Sequence, residues 1–310
     1  KGIIDIGTNS CRLFIAEVMK TEKGIDILNE LIKEVEIVKL GEGVNENHFL
    51  KEEAIERTVE CLKKYKETAD KYNVKELKAF ATSATRDAEN REKFMKKVRE
   101  LGIEIKCISG EEEAKLNFLG NSLVFNDRIL VIDIGGGSTE FTLGKNNEID
   151  FIKSIDIGAV RATEKFFSQD DYSQENIEKC KEWVRKNIEE IKKIKNEEFK
   201  AVGVAGTATT QISVKKEMKI YDSQQVHMSE ISVKELEENL ELFISKSIEE
   251  RKEIIGLEPK RADVIIAGTI ILITILKELN KEKIIVSESD NLTGAMIKEE
   301  KMSERLEWIL

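Results

Sequence analysis

The sequence has little of what many enzymes use for catalysis or cross-linking. Its 310 residues include one proline and only two histidines, His48 and His227. Histidine-based catalysis and metal sites built from several histidines are therefore poorly supplied. The chain contains four widely separated cysteines: Cys11, Cys61, Cys107 and Cys180. None belongs to a CxxC pair, which favours reduced thiols over a disulfide framework or a zinc site.

Long apolar runs are also absent. The most apolar stretch, Val264–Leu276, has 13 residues, fewer than the ~20 that a membrane-spanning helix needs. It predicts a buried core helix instead. No signal peptide precedes the first predicted strand, so we expect a cytoplasmic protein that does not bind membranes.

The chain carries no excess of positive charge. Its formal net charge is −10, which argues against binding to nucleic acid. A locally basic cleft for a polyanion stays open, because a global sum hides local fields. The length, with 40% hydrophobic residues, predicts two domains that each have a core.

What the sequence does contain is an unusual turn that occurs twice. Ile4–Phe14 reads IDIGTNSCRLF, and Ile132–Phe141 reads IDIGGGSTEF. Aspartate after an apolar run, followed by glycine and hydroxyl residues, predicts a tight β-hairpin. Glycine permits positive φ and lets a ligand approach the main chain. Successive backbone N–H groups then form a concavity that binds anions.

Other segments recur in the same order. The strand-to-turn segment Leu77–Ala88 has a counterpart in Phe199–Thr210, and helical periodicity precedes both. Each half reads β-β-β-α-β-α, followed by a further strand at Ile103–Ile108 or Lys283–Glu288. The repeat predicts two similar α/β domains that face one another, with one turn from each lining a shared cleft.

The side chains of the turns extend this predicted anion site, because hydroxyl groups donate hydrogen bonds and a guanidinium binds phosphate. A single such loop is equally consistent with a plain flexible hairpin, but two matching copies favour function. The predicted phosphate-binding residues are Thr8, Asn9, Ser10 and Arg12 in the first turn and Gly135, Gly136, Gly137, Ser138 and Thr139 in the second.

Taken together, the motifs resemble the exopolyphosphatase and guanosine pentaphosphate phosphohydrolase (Ppx/GppA) family. Aspartate-glycine hairpins alone indicate only its superfamily, which includes actin and sugar kinases. The blocks TSATRDAEN (82–90) and ISGEEEAKLNFLG (108–120) are more specific. The resemblance covers the whole chain and matches short, two-domain members. It implies duplicated actin-like (ribonuclease H-like) domains with mixed sheets, over 1–124 and 125–296. A C-terminal helix over about 297–310 would pack back on the first domain.

The resemblance also implies roles for carboxylates. Glu113 precedes Ala114, where the family has its catalytic general base. Without the motif, a solvated helix carboxylate would be the simpler interpretation. Glu112 stands three residues after Ser109, the spacing of a helix capping box, so we predict a structural role for it.

A divalent cation, Mg²⁺ or Mn²⁺, is expected because the substrate is densely anionic and Mg²⁺ prefers oxygen ligands. Asp133 is the best candidate ligand. Glu140 lies seven residues on, across the hairpin, and resembles the second metal carboxylate of the family. Asp5 is the counterpart of Asp133 in the first half and would act through water.

Two further segments complete the predicted site. By the resemblance, Arg86 binds a phosphate further along the substrate; the alternative is a surface arginine at a helix start. Gly206 and Thr207, in AGTATT, would contact phosphates, although a hydroxyl-rich helix entry fits as well. The chain departs from the family at Leu292, where an arginine is usual, which puts the choice of substrate in doubt.

The leading hypothesis is an exopolyphosphatase that removes terminal phosphate from inorganic polyphosphate by in-line attack of water. The alternatives are hydrolysis of guanosine pentaphosphate, an ATP-dependent kinase or chaperone-like ATPase, and a non-catalytic sensor of guanosine phosphates. The expected partners are inorganic polyphosphate or guanosine polyphosphates, with no nucleic acid and no membrane. Whether the chain forms a homodimer is left open.

Overall fold

The computed structural model describes residues 1–21, 24–167 and 170–298. By its internal contacts the chain divides into two compact units. The first unit comprises residues 1–120 together with the described residues from 291 onward, and the second comprises residues 121–290. The domain limits 1–124 and 125–296 stay a prediction. Of the helix predicted over 297–310, residues 299–310 lie outside the described ranges.

Strands and helices alternate along both halves of the chain. Up to residue 122 the elements are β1 (Gly2–Ile6), β2 (Ser10–Thr21), β3 (Gly24–Ile37), α1 (Val44–Asn47), α2 (Glu52–Lys71), β4 (Leu77–Ala81), α3 (Ser83–Asp87), α4 (Arg91–Glu100), β5 (Glu104–Cys107) and α5 (Gly110–Ser122). The later elements are β6 (Ile129–Ile134), β7 (Thr139–Lys145), β8 (Glu148–Ile155), α6 (Ala159–Phe166), α7 (Gln174–Asn187), β9 (Lys200–Val204), α8 (Ala205–Lys215), α9 (Ser223–Val226), β10 (Ser229–Ser232), α10 (Val233–Ile244), α11 (Ile248–Arg251), α12 (Ile265–Glu278), β11 (Lys283–Val286) and α13 (Asn291–Ile297). Short 3-10 helices cover Ile191–Ile194 and Pro259–Arg261.

The two sheets have the same strand order at their centres. The first sheet is ordered β3-β2-β1-β4-β5, and the second is ordered β10-β11-β9-β6-β7-β8. In each, the central strand pairs antiparallel with the strand that follows it and parallel with a later one. The predicted duplication is therefore confirmed at the level of topology. Strand β10, antiparallel to β11 at the edge of the second sheet, has no counterpart in the first and was not predicted.

The central strands β1 and β6 are buried along their whole length. Helices and neighbouring strands cover both faces of such a strand, so its sequence is a nearly continuous apolar run. Each run is interrupted by one aspartate, Asp5 in β1 and Asp133 in β6, and each is only 4% exposed. A buried carboxylate is costly unless charge or hydrogen bonds compensate it, so each aspartate marks a position where the fold must supply a partner.

The helices bury the apolar stripes that their sequences predict. In α2, Ile55, Leu62 and Tyr65 point into the core of the first unit. In α7, Cys180 and Val184 point into the core of the second. Apolar residues at steps of three and four share one face of a helix, which is why the periodicity was informative.

Helix α12 is the centre of the second core. Every residue from Ile265 to Leu276 is buried, which confirms the core helix predicted from Val264–Leu276. A helix that is apolar on all sides must be covered on all sides. None of the helices in the described ranges is both long and apolar enough to cross a membrane.

Helix α13 packs in the first unit. Leu292 is fully buried beside Phe14 and Phe80. A Cβ on Gly294 would lie 1.9 Å from the carbonyl oxygen of Leu116, so only glycine fits at this contact. At the position where the family usually has an arginine, the chain therefore has a core side chain.

The burial of α12 leads to a stability prediction. Replacing Ile271→Ala, where the isoleucine is fully buried, should lower the free energy of unfolding by roughly 2–5 kcal/mol because it opens a cavity. Urea unfolding followed by circular dichroism measures the change. The matched control is Ile220→Ala, which removes a side chain that is 85% exposed and should change the free energy by less than about 0.5 kcal/mol. Equal losses in both variants would contradict the assigned core.

Candidate functional site

The two repeated turns are built in the same way. In the first, the Gly7 amide donates to the Ser10 carbonyl at 2.9 Å; in the second, the Gly135 amide donates to the Ser138 carbonyl at 3.0 Å. Each turn begins directly after a buried central strand and ends where the antiparallel neighbour starts. Both predicted hairpins are therefore present.

Neighbouring segments hold the carbonyl groups of the first turn. The Thr8 carbonyl accepts a hydrogen bond from the Gly41 amide at 2.8 Å. The Asn9 carbonyl accepts from the amides of Val38 and Lys39 at 3.0 and 2.9 Å. These contacts orient the peptide units of the turn.

The N-terminus of α6 holds the second turn in the same manner. The Gly135 carbonyl accepts from the Ala159 amide at 2.9 Å, and the Gly136 carbonyl accepts from Val160 and Arg161 at 2.9 and 3.1 Å. The main chain approaches closely here, since a Cβ on Gly158 would lie 2.2 Å from the Gly136 carbonyl oxygen.

With their carbonyl groups engaged, the turns present backbone N–H groups. Within the described ranges, the amides of Thr8, Asn9, Gly136 and Gly137 have no hydrogen-bond acceptor. Adjacent N–H groups that point outward are the elements of an anion-binding concavity. The arrangement fits the predicted phosphate contacts, which stay a prediction.

The glycines of the second turn do not need positive φ, contrary to our expectation. Among the described glycines, φ is positive only at Gly43, Gly102 and Gly256. At Gly135 the space is tight, because a Cβ would lie 3.3 Å from the Ser138 carbonyl oxygen.

In the first unit, Arg12 neutralises the aspartate of the central strand. Asp5 and Arg12 are register partners across the hairpin. The Arg12 guanidinium donates to Asp5 Oδ2 through Nη2 and, at 3.0 Å, through Nε. Arg12 Nη2 also donates to Asn291 Oδ1 at 2.7 Å, and Asn291 Nδ2 donates to Asp5 at 3.3 Å. Asp5 and Arg12 are therefore hydrogen-bonded to each other and to Asn291. The roles predicted for them, metal ligand for Asp5 and phosphate contact for Arg12, stay predictions.

In the second unit, the same pair of positions holds two carboxylates. Asp133 and Glu140 are register partners across the hairpin, are 4% and 2% exposed, and place carboxylate oxygens within 4.8 Å of each other. Glu140 Oε1 also accepts a hydrogen bond from Ser154 Oγ at 2.7 Å.

The two hairpins differ in the charge that faces the aspartate of the central strand. A guanidinium lies across from Asp5, whereas a second negative charge lies across from Asp133. Two buried carboxylates at this separation repel each other unless a cation lies between them. Carboxylate oxygens are the ligands that Mg²⁺ and similar hard cations prefer. The Asp133–Glu140 pair could therefore hold a divalent metal.

Three consecutive glutamates in the first turn of α5 have different environments. Glu111 is exposed. Glu112 forms the predicted capping box, since its amide is bonded to Ser109 Oγ at 3.1 Å and its carboxylate accepts from the Ser109 amide at 2.8 Å. Partial burial would raise the pKa of Glu112, but the Ser109 amide and the Lys106 ammonium outweigh it and lower the pKa. The structural role predicted for Glu112 is confirmed.

The third glutamate of the turn, Glu113, is only 8% exposed. Its Oε2 lies 3.9 Å from Nη1 of Arg86, and the same nitrogen of Arg86 donates to the Ile108 carbonyl at 3.1 Å. The fold of the first unit therefore places the predicted general base beside a predicted phosphate-binding arginine.

Some predicted hydroxyl donors are committed to the protein itself. Thr139 Oγ1 donates to the Ile157 carbonyl at 2.6 Å, and Thr207 Oγ1 donates to the Ile134 carbonyl at 2.8 Å. The first bond ties β7 to the segment between β8 and α6, and the second ties α8 to the end of β6. Ser138 is 3% exposed, and its phosphate contact, like those of Ser10 and Thr207, stays a prediction.

Arg261 is a candidate that sequence analysis missed. A Cβ on Gly206 would lie 1.4 Å from Nη1 of Arg261, so the guanidinium covers the start of α8 where phosphate contacts were predicted. A helix N-terminus with an adjacent cation favours anions. The available signal was its position as the first residue of RADVIIAG, one of the motifs that carried the family resemblance.

The sequence model of the Ppx/GppA phosphatase family matches residues 16–300. The chain belongs to this family. The membership confirms the resemblance inferred from the motifs. Solved structures of the family agree: the PPX-GPPA enzyme of Aquifex aeolicus is 33% identical, with a TM-score of 0.79 over 96% of this chain and 98% of that one.

An exopolyphosphatase from Cytophaga hutchinsonii is 26% identical and has a TM-score of 0.85 over 94% of this chain and 95% of that chain. These similarities and the two mixed sheets confirm the predicted α/β fold class with mixed sheets and helices; the actin-like superfamily stays a prediction.

Two curated relatives differ in length and name. The bifunctional 3-dehydroquinate synthase/phosphatase of Fusobacterium nucleatum is 55% identical over 304 residues. The match covers 95% of this chain but only 46% of that protein. Exopolyphosphatase 2 of Mycobacterium tuberculosis is 33% identical over 307 residues, covering 94% of this chain and 95% of that one.

The pair of carboxylates Asp133 and Glu140 leads to a metal-binding prediction for this Ppx/GppA protein. Glu140→Gln should weaken binding of Mg²⁺ or Mn²⁺ by at least about tenfold, ~1.4 kcal/mol, because it removes one of two ligand charges. Isothermal titration calorimetry of the substrate-free protein measures the affinity. The matched control is Glu148→Gln, a strand glutamate that is exposed and should leave the affinity unchanged. No binding by the unaltered chain, or equal affinities in both variants, would rule out this pair as the metal site.

Proposed function

We propose that the chain is an exopolyphosphatase that hydrolyses the terminal phosphoanhydride bond of inorganic polyphosphate. The observation that carries the proposal is the buried Glu113 carboxylate beside the Arg86 guanidinium, 3.9 Å apart. Hydrolysis of a phosphoanhydride needs a group that orients and deprotonates water and a cation that holds phosphate oxygens. This pair supplies both within one unit.

In this proposal Glu113 is the general base. Its low exposure keeps bulk water from competing for the carboxylate. Its position in the first turn of α5 is fixed by the capping box of Ser109 and Glu112. Arg86, bonded to the Ile108 carbonyl, would hold a phosphate group and thereby orient the end of the chain towards the base.

The turns would bind the phosphate chain through main-chain amides. Among the residues that the structure describes, the N–H groups of Thr8 and Asn9 in one unit and of Gly136 and Gly137 in the other have no hydrogen-bond acceptor. Such donors stabilise the charge of a transferring phosphoryl group without reorganising during the reaction. The shared cleft expected from the sequence stays a prediction.

Asp133 and Glu140 would hold Mg²⁺, and their separation and burial fit this cation. When bound, Mg²⁺ supplies charge neutralisation for the phosphate oxygens. Asp5 would instead orient Arg12, because the two side chains are already bonded to each other.

The names of relatives support a phosphohydrolase but differ in substrate. The Mycobacterium tuberculosis relative is named an exopolyphosphatase. The more similar Fusobacterium nucleatum protein is named a synthase/phosphatase without a stated phosphatase substrate. Substrate choice must therefore be measured.

Hydrolysis of guanosine pentaphosphate is the second candidate, and a partly exposed aromatic side chain, Tyr221, close to Arg261 favours it. Ile220 is 85% exposed and Tyr221 is 49% exposed. Enclosure of the phenol group and the Glu288 carboxylate raise the pKa of Tyr221, while the nearby Arg261 guanidinium lowers it. An aromatic ring beside a cation suits a purine base attached to phosphates. A bare polyphosphate chain would leave that surface uncovered.

The test compares two substrates and two glutamates of the same helix. Phosphate release is measured with long-chain polyphosphate and, separately, with guanosine pentaphosphate. Glu113→Gln should lower kcat by about 10²-fold or more, since general-base catalysis contributes 10²–10⁴-fold. Its matched control is Glu111→Gln, an exposed neighbour in the same turn, which should keep full activity.

Each outcome decides between the candidates. Release from polyphosphate supports the proposal, and release from guanosine pentaphosphate alone would replace it with the second candidate. Release from neither substrate by the metal-loaded chain would overturn both. Full activity of Glu113→Gln would remove Glu113 from the mechanism.

A further inference from the structure

The side chain of Asn9, in the first turn, has a buried oxygen that the fold does not use. Asn9 as a whole is half-buried, but its Oδ1 is enclosed and receives no hydrogen bond in the part of the chain that the structure describes. A buried acceptor without a donor is costly. We therefore expect a donor from outside the protein at this atom.

The turn does not need the Asn9 side chain for its own shape. The φ angle of Asn9 is not positive, so the backbone conformation does not require asparagine. Main-chain hydrogen bonds hold the turn: the Gly7 amide donates to the Ser10 carbonyl, and the amides of Val38 and Lys39 donate to the Asn9 carbonyl. The side-chain amide is therefore available for another purpose.

The topology places Asn9 at the same sheet edge as Glu113. Strands β1, β4 and β5 are parallel neighbours, and their last residues, Ile6, Ala81 and Cys107, are in register. Asn9 lies in the turn after β1, and Glu113 lies in the first turn of α5, which follows β5. Neighbouring strands are about 4.8 Å apart, so these two segments leave the sheet only about 10 Å from each other.

Helix α3, which follows the strand between them, connects the turn with the glutamate. The Gly41 amide donates to the Thr8 carbonyl at 2.8 Å. A Cβ on Gly41 would lie 2.3 Å from Thr8 Cγ2 and 3.0 Å from Ala84 Cβ, so the turn packs against α3 with only a glycine between them. On the same helix, Arg86 Nη1 lies 3.9 Å from Glu113 Oε2.

We propose that Asn9 Oδ1 accepts a hydrogen bond from the attacking water and positions it, while Glu113 accepts the other hydrogen; this role rests on the proposed function. An ionised phosphate chain offers acceptor oxygens, which cannot satisfy an amide oxygen, whereas water donates two hydrogen bonds. The neutral amide also adds no charge that would repel the substrate. Asn9 would thus bind phosphate through its main-chain N–H and water through its side chain.

The step balances without a co-reactant. The water oxygen forms a bond to the terminal phosphorus while the bond from that phosphorus to the bridging oxygen breaks. One proton of the water passes to the Glu113 carboxylate, and the proton held by Asn9 Oδ1 stays on the released phosphate. The bridging oxygen leaves with the shortened chain and keeps the electron pair. With both hydrogens engaged, a lone pair of the water is left to face the phosphorus.

The first measurement does not depend on activity. A high-resolution crystal structure of the unaltered, substrate-free chain should show one water within about 3.2 Å of both Asn9 Oδ1 and a carboxylate oxygen of Glu113. In Asn9→Ala this water should lose its fixed position, while the turn keeps its main-chain hydrogen bonds. No water at Asn9 Oδ1, or a water that stays in place in the variant, would overturn the proposal.

The second measurement separates kcat from KM in phosphate release. Asn9→Ala should lower kcat by about 10- to 100-fold because the water is misplaced, and KM should change by less than about threefold because ground-state binding is kept. The matched control is Asn29→Ala, which alters an exposed asparagine of β3 and should leave both constants unchanged. A raised KM at unchanged kcat would assign the Asn9 amide to phosphate binding and contradict the proposal.

A double-mutant cycle tests whether Asn9 and Glu113 act on the same water. Added to Glu113→Gln, Asn9→Ala should lower kcat by less than about a further threefold, because residues that serve one step have non-additive effects. Fully additive losses would contradict a shared water. If the unaltered chain releases no phosphate from either substrate, the proposed function fails, while the crystal structure still decides whether Asn9 and Glu113 hold a common water.

Discussion

Much of this protein depends on one constraint, a four-residue turn closed immediately after a fully buried strand. The hydrogen bonds from the Gly7 amide to the Ser10 carbonyl and from the Gly135 amide to the Ser138 carbonyl close each turn, so the chain reverses within four residues. The carbonyl groups of both turns are bonded to neighbouring segments, so their amides face the other way. A rigid row of N–H donors follows from backbone geometry alone, before any side chain is considered.

The duplicated hairpins then diverged in charge at one pair of positions. Asp5 is bonded to Arg12, while Asp133 faces Glu140. In one hairpin a guanidinium faces the aspartate, and in the other a second buried carboxylate faces it, which is a ligand type that suits a divalent cation. The contrast gives the two halves different chemistry on one backbone plan.

Helix α5 illustrates how a run of three identical residues acquires three environments. Because successive residues are rotated around the helix axis, Glu111 is exposed, Glu112 bonds back to Ser109, and Glu113 lies against Arg86. The cap fixes the start of the helix and with it the direction of Glu113. The same rule applies to α12, where apolar residues on every side required burial on every side.

The sequence by itself determined the duplicated α/β pattern, both hairpins, the capping box and the buried helix α12, because local periodicity and turn chemistry encode them. Tertiary structure decided the bonding of Asp5 to Arg12 and Asn291, the contact of Arg261 with Gly206, and the packing of Leu292 in the first unit. It also decided the edge strand β10, whose four residues are too few for a clear pattern. Most of these contacts join residues that are far apart in the chain. A local sequence pattern does not predict such contacts, because they form only when the chain folds.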